Sequence, residues 1–250
     1  MKIRFKFRKQ GDLRFIGHLD VMRYFQKVFR RAELDMAFSG GYSPHILMTF
    51  AAPLGLGLTS DGEYMDAEFV SCPGKAELIA RMNAVSVPEL SVTDACLLPD
   101  DAKNAMASMA FADYTVRLRE ESEESEALFD ALCAWLEKDE ILIEKQAKKG
   151  KKEVAVTNVR PKIRAYRRTE EGISFLLDQG SESNLKPETV LAAFLKEQGT
   201  GAFGLPPYGP EGAFPEESFI RIHFAINRDE LYTQENGVPK PMIEAGEKDF

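Results

Sequence analysis

The sequence predicts an α+β fold of two tandem units with antiparallel sheets, and three observations carry that expectation. Short stretches of strict apolar/polar alternation are interleaved with longer stretches of helical spacing. In the first hundred residues these run strand, helix, strand, strand, helix, strand. A polar stretch, PDDAKNAMASMA at 99–110, separates them from a second series of the same kind.

Ile3, Phe5 and Phe7 alternate with Lys2, Arg4, Lys6 and Arg8, giving a half-buried strand with one basic face. Gly11-Asp12 breaks it. A helix is expected from His18 to Glu33, with Met22, Phe25, Phe29 and Ala32 as its apolar stripe and Arg23, Lys27, Arg30 and Arg31 as a basic one. Asp20 in its first turn suits the positive end of the helix dipole. Ser39-Gly40-Gly41 marks a loop, His45–Ala51 a second strand, and Pro53 to Gly57 a turn. The third strand, Glu63–Val70, sets Met65, Ala67 and Phe69 against Tyr64, Asp66 and Glu68. Pro73-Gly74 opens a helix to Ala84, and Leu90–Leu98 is the fourth strand. The order βαββαβ is that of a ferredoxin-like unit. In that sheet order the third strand lies beside the first, so Asp66 and Glu68 are expected to pair with Arg4 and Lys6 across the strands.

The second series begins with a strand marked by Tyr114, Val116 and Leu118 and a helix over Glu124–Lys138. Ile141–Glu144 reads as a strand, followed by the basic loop AKKGKK. Asn158–Arg168 and Gly172–Leu177 read as a hairpin, and Pro187–Gln198 as a helix. A Gly/Pro loop, GTGAFGLPPYGPEG at 199–212, precedes a last strand marked by Ile220, Ile222, Phe224 and Ile226. This is a second ferredoxin-like unit with one strand more than needed. The expected organisation is therefore a first domain at 1–98, a linker at 99–110, a second domain at 111–232 and a flexible tail at 233–250.

A composition of 44% hydrophobic and 29% charged residues is ordinary for a soluble globular protein. No run approaches the roughly 18 apolar residues of a membrane helix, and MKIRFKFRK lacks the apolar core of a signal peptide. The expectation is a cytoplasmic protein without membrane contact. Cys72, Cys96 and Cys133 are odd in number and far apart, which disfavours a structural metal or iron–sulfur cluster; no cofactor is expected. Net charge is −8, yet residues 1–31 hold ten Lys/Arg against Asp12 and Asp20, and residues 145–168 hold ten against Glu153 alone. Charge so polarised can present a basic surface to a polyanion, unless acidic neighbours in space cancel it.

Three places hold residues that carry chemistry. Arg14, His18 and Arg23 surround a helix start, where the dipole biases His18 toward the neutral imidazole, a general base or hydrogen-bond anchor. His18 also lies on the stripe of Met22 and Phe25, which equally fits a histidine at the core edge. Gly40, Gly41, Tyr42 and His45 form a loop in which glycines admit close approach of a ligand and Tyr42 can stack on a base; a tight helix-to-strand connection explains the glycines as well. Arg160, Lys162, Arg164, Tyr166 and Arg168 fall on one face of one expected strand, an RNA platform to which Lys148, Lys149, Lys151 and Lys152 add phosphate contacts. A solvated edge strand kept soluble by charge is the plainer reading.

FIGHLD, RRAEL, SGGYSPH, PLGLG and EYMDAEF occur in this order, with NVRPKI and NRDELY later. Together they resemble the radical-SAM-linked protein family, bacterial proteins of unknown function encoded beside or fused behind radical-SAM enzymes. Where that family's loop commonly has Phe-Asn-Pro-His, this chain has Tyr42-Ser43-Pro44-His45, keeping the aromatic, the proline and the histidine. The resemblance implies a radical-SAM enzyme as partner and not radical-SAM chemistry here. At the level of fold, the chain is also similar to CRISPR repeat-processing endoribonucleases, which have a histidine near the first helix and a late Gly-rich loop; His18 and residues 199–212 occupy comparable places. The leading expectation is a non-catalytic, RNA-directed accessory protein for a radical-SAM enzyme in RNA or ribosome-related modification. The alternatives are a metal-independent endoribonuclease using His18 as catalytic base, and a protein–protein scaffold for the radical-SAM partner.

Overall fold

The structure is a computed structural model and describes residues 1–120, 123–145, 155–209 and 215–250. It divides into two compact units, one of Met1–Ala112 with Asn227–Phe250, the other of Asp113–Ile226.

The first unit opens with β1 (Lys2–Lys9), α1 (His18–Arg31), β2 (Met48–Phe50), β3 (Thr59–Glu68), α2 (Lys75–Ala84), β4 (Val92–Leu98) and a single turn, α3 (Ala105–Ser108). Its strands lie in the order β4-β1-β3-β2, every neighbour antiparallel. Ile3, Phe5 and Phe7 point to one face and are fully buried beneath Val21, Phe25, Val28 and Phe29 of α1 and Leu78 and Met82 of α2. The aromatic rings meet edge-on or tilted, Phe7 with Phe25 at 4.8 Å and Phe29 with Phe69 at 6.0 Å between centroids, the geometry that aligns ring edge with ring face.

The opposite face of β1 is polar, half-buried at Lys2, Lys6 and Arg8 and fully buried at Arg4. Arg4 stands opposite Asp66 in the register and grips it with Nε at 2.8 Å and Nη2 at 3.0 Å. Asp66 also accepts a 2.7 Å bond from the Ala105 N–H, and Arg4 donates to the Lys103 carbonyl at 3.2 Å. The stretch 99–110, expected as a linker, therefore covers this face: Ala105 is fully buried. Lys6 does not pair with Glu68; its partner is Glu230, at 2.6 Å, which also accepts from the Tyr64 hydroxyl.

The second unit contains most of β5 (Phe111–Leu118), then α4 (Ser125–Leu136), β6 (Leu142–Lys145), β7 (Ala155–Asn158), β8 (Ile163–Arg168), β9 (Gly172–Asp178), α5 (Pro187–Gln198), α6 (Glu217–His223) and the start of β10 (Phe224–Glu235). β9 lies between β5 and β8, while β6 and β7 pair only with each other. Gly172 is required where β9 meets β5, because a Cβ there would sit 2.0 Å from the Val116 carbonyl oxygen. The Asn158–Arg168 strand of the sequence reading is thus two strands joined by a 3-10 turn at Arg160–Lys162, in which Pro161 supplies the fixed φ.

Ile220 and Ile222 are not strand residues. They lie in α6, Ile220 buried and Ile222 exposed, as residues two apart on a helix must be. The Glu217–Arg221 pair, one turn apart at 2.7 Å, braces that helix. The strand begins at Phe224, and from Asn227 it belongs to the first unit, running parallel to β3 at Thr59 and Ser60. Residues 233–250 are not a loose tail. β10 continues to Glu235 and turns through Asn236-Gly237, both at positive φ, into β11 (Val238–Pro241), the two-residue turn that suits strand twist. Met242 and Ile243 follow and are buried.

Candidate functional site

Helix α1 sorts the residues of the first candidate site. Val21, Phe25, Val28, Phe29 and Ala32 face the sheet. Leu19, Arg23, Lys27, Arg30 and Arg31 are exposed on the opposite side, at the three- and four-residue spacing that makes one stripe. Arg23 lies 3.5 Å from Asp20; Lys27, Arg30 and Arg31 have no ion-pair partner among the described residues. Just before the helix, the Arg14 guanidinium lies 4.5 Å from the centre of the Phe15 ring, and Phe15 is 61% exposed.

His18, although at the helix start, turns inward. Its ring meets Phe50 edge-on at 5.2 Å between centroids. Burial holds its pKa below the ordinary histidine value; Glu63 opposes the shift and Lys9 adds to it. Behind it lies a cluster absent from the sequence reading. Lys9 is buried and donates to the Ile16 carbonyl at 2.9 Å, and burial lowers its pKa as well. Glu63 is buried and held by Arg228, whose Nε donates at 2.7 Å, while Arg228 Nη2 donates to the Ala52 carbonyl at 2.9 Å. Gly57 N–H donates to the Arg14 carbonyl at 2.8 Å. The segments RFIGHLD, PLGLG, EYMDAEF and NRDELY are thereby joined. One signal was available in the sequence: the β1 alternation ends in Arg8-Lys9, two consecutive cations, so one of them had to face the core side.

The 39–45 loop closes on itself. Ser39 Oγ lies 2.8 Å from His45 Nδ1 and accepts from the His45 N–H at 3.1 Å, and Ser39 N–H donates to the His45 carbonyl at 2.9 Å. His45 thus works on its own loop. Gly41 has φ of 100°, a value that favours glycine, whereas a side chain at Gly40 would meet open space. Tyr42 is fully exposed.

The basic strand is corrected most. Arg160 and Lys162 lie in the 3-10 turn and not on β8. Arg164 binds Asp178 of β9 through Nε at 2.5 Å and Nη2 at 3.1 Å, a contact that raises its pKa. Arg168 binds Asp130 of α4 at 3.1 Å and the Gly172 carbonyl at 2.8 Å. The Tyr166 hydroxyl donates to Glu137. The acids missing from the local sequence are supplied by neighbouring elements. Lys148, Lys149, Lys151 and Lys152 lie outside the described residues.

Burial pushes the Cys72 and Cys96 thiols up to about 11, so both are protonated at neutral pH. No group of three His, Cys, Asp or Glu placed to hold a metal occurs among the described residues, and none of their helices is long and apolar enough to cross a membrane.

These features define a mixed α/β protein of two units, with an open basic helix face in the first unit beside a buried Lys9/Glu63/Arg228 cluster edged by the half-buried His18. The chain belongs to the bacterial family described as "Uncharacterized protein conserved in bacteria (DUF2344)", whose model matches residues 2–187. The match takes in α1, the 39–45 loop and Glu63 but ends before Arg228. Among curated proteins no relative matches the chain.

Proposed function

We propose that the protein is a non-catalytic, RNA-directed accessory protein acting beside a radical-SAM enzyme, and that its RNA surface is the outer face of α1. The observation that carries this reading is the contrast in cation state: Lys27, Arg30 and Arg31 stand exposed with no acid against them among the described residues, while Arg164 and Arg168 are taken by Asp178 and Asp130. Cations not already neutralised by an acid can neutralise phosphates and release the counterions condensed on the nucleic acid. The radical-SAM partner is inferred from the motif resemblance alone. We read the first unit as ferredoxin-like, because its element order is βαββαβ and its neighbours follow β4-β1-β3-β2; the second is read as a variant of the same plan.

The test is a salt titration of binding to a stem-loop RNA. The triple variant Lys27→Glu/Arg30→Glu/Arg31→Glu is expected to lower the slope of log affinity against log salt by about 2–3. Arg164→Glu/Arg168→Glu is expected to leave the slope unchanged. No affinity at low salt, or a triple variant that binds like the wild type, would overturn the proposal. The RNA is expected to remain intact; cleavage that disappears in His18→Ala would replace this reading by the endoribonuclease one.

A further inference from the structure

We infer that the RNA held by the α1 face is single-stranded, its unpaired bases stacking on Phe15 and Tyr42 while its phosphates follow Arg23, Lys27, Arg30 and Arg31. This rests on the proposed RNA reading and adds what kind of RNA it is.

The two aromatics sit at opposite ends of the cation row. Strand β3 runs from Thr59 to Glu68. Phe15 lies beside the start of β3, because the neighbouring Arg14 carbonyl accepts from Gly57 N–H. The 39–45 loop lies beside its end, because Ala37 N–H donates to the Glu68 carbonyl and Phe38 bridges Ile46. Between them α1 spans 14 residues, about 21 Å at 1.5 Å per residue. That length matches roughly six nucleotides at the stacked spacing of one strand, about 3.4 Å each, and fewer if the strand is extended.

Both rings are open. The Arg14 guanidinium covers one face of Phe15 at 4.5 Å, and the residue is still 61% exposed, so the other face is available to a base. Tyr42 is fully exposed on a loop held shut by the Ser39–His45 bonds. Exposed apolar side chains scattered singly need no explanation; two exposed aromatics bracketing a row of exposed cations, three of which have no ion-pair partner among the described residues, have the composition of a single-strand platform. A duplex keeps its bases stacked and paired and offers such rings no free base face. It would meet the cations alone.

Binding of a short unstructured oligoribonucleotide, and of the same strand annealed to its complement, decides the matter for the full chain. The single strand is expected to bind more tightly than the duplex. Phe15→Ala and Tyr42→Ala are each expected to weaken single-strand binding about 5- to 150-fold, with the salt slope and the duplex affinity unchanged. Both side chains are exposed, so an unaltered unfolding midpoint shows that the fold is kept. If the duplex binds as tightly as the single strand, or the alanine variants bind the single strand like the wild type while Lys27→Glu/Arg30→Glu/Arg31→Glu still abolishes binding, the single-strand inference falls and the RNA reading stands. If the triple variant also changes nothing, the RNA reading falls with it.

Discussion

Helix α1 carries four arginines and lysines and strand β8 three, and the fold treats most of them in opposite ways. On β8 two of the three cations, Arg164 and Arg168, meet acids from a paired strand and a packed helix, Asp178 from β9 and Asp130 from α4, while Arg167 is exposed with no ion-pair partner among the described residues. On α1 the cations occupy a face left exposed among the described residues, at spacings where their own helix offers only Asp20. A strand in a sheet has lateral neighbours, so its charges are readily answered. The outer face of a helix packed on a sheet has none. Whether a basic run binds anything therefore depends on which element carries it and what stands next to it.

Stability separates three kinds of cation, and the comparison breaks if their order is wrong. Asp66→Ala strands the guanidinium of Arg4 in a site where both side chains are buried. The expected loss is about 3–5 kcal/mol in urea unfolding. Arg164→Ala removes the half-exposed partner of Asp178, which keeps its bond from Ser183 Oγ at 2.7 Å. The expected loss is about 1 kcal/mol or less. Arg30→Ala touches a residue that is exposed on α1, and its effect is expected within about 0.5 kcal/mol of zero. An Arg164→Ala loss as large as that of Asp66→Ala would mean that β8 is organised around its cations; an Arg30→Ala loss of that size would mean that the α1 face is not open.

The local elements were legible in the sequence because their periods are strong. The alternation of β1 and the 3.6-residue spacing of α1 each identify an element and the face it buries. Arg4 against Asp66 was legible too, since sheet order plus alternation fixes a cross-strand pair. What escaped depends on distant parts of the chain. Glu230 takes Lys6, and Arg228 takes Glu63, because β10 returns to β3 from far along the sequence. No local pattern near residue 63 announces that. Ile220 to Ile226 alternates, but the stretch mixes a helix end with a strand start, and period 2 over so few residues cannot separate them. The expectation of a flexible tail overlooks Asn236-Gly237, a strong short-range hairpin signal that joins β10 to β11.

The smallest expected effect sharpens the comparison within α1 itself, between the stripe that faces out and the half-buried imidazole of the first turn, which packs on Phe50. Burial lowers the pKa of His18 below its value in the unfolded chain, about 6.5. Between those two values the unfolded state binds the proton and the folded state does not, so stability rises with pH there. In the acid direction, stability is lost as pH falls through 6.5 and stops falling once it is below the folded pKa, where both states are protonated. Urea midpoints taken from pH 8 down to pH 5 should fall for the wild type over that window, and the fall should shrink in His18→Gln, whose amide does not titrate. The salt slope of RNA binding at pH 7.5 should be the same in both proteins, because His18 packs on Phe50 and stands apart from the cation row. A wild-type midpoint that does not move, or an equal fall in the variant, would show that the imidazole is solvated like any surface histidine. The division of α1 into a sealed face and an open one would then have to be redrawn at its first turn.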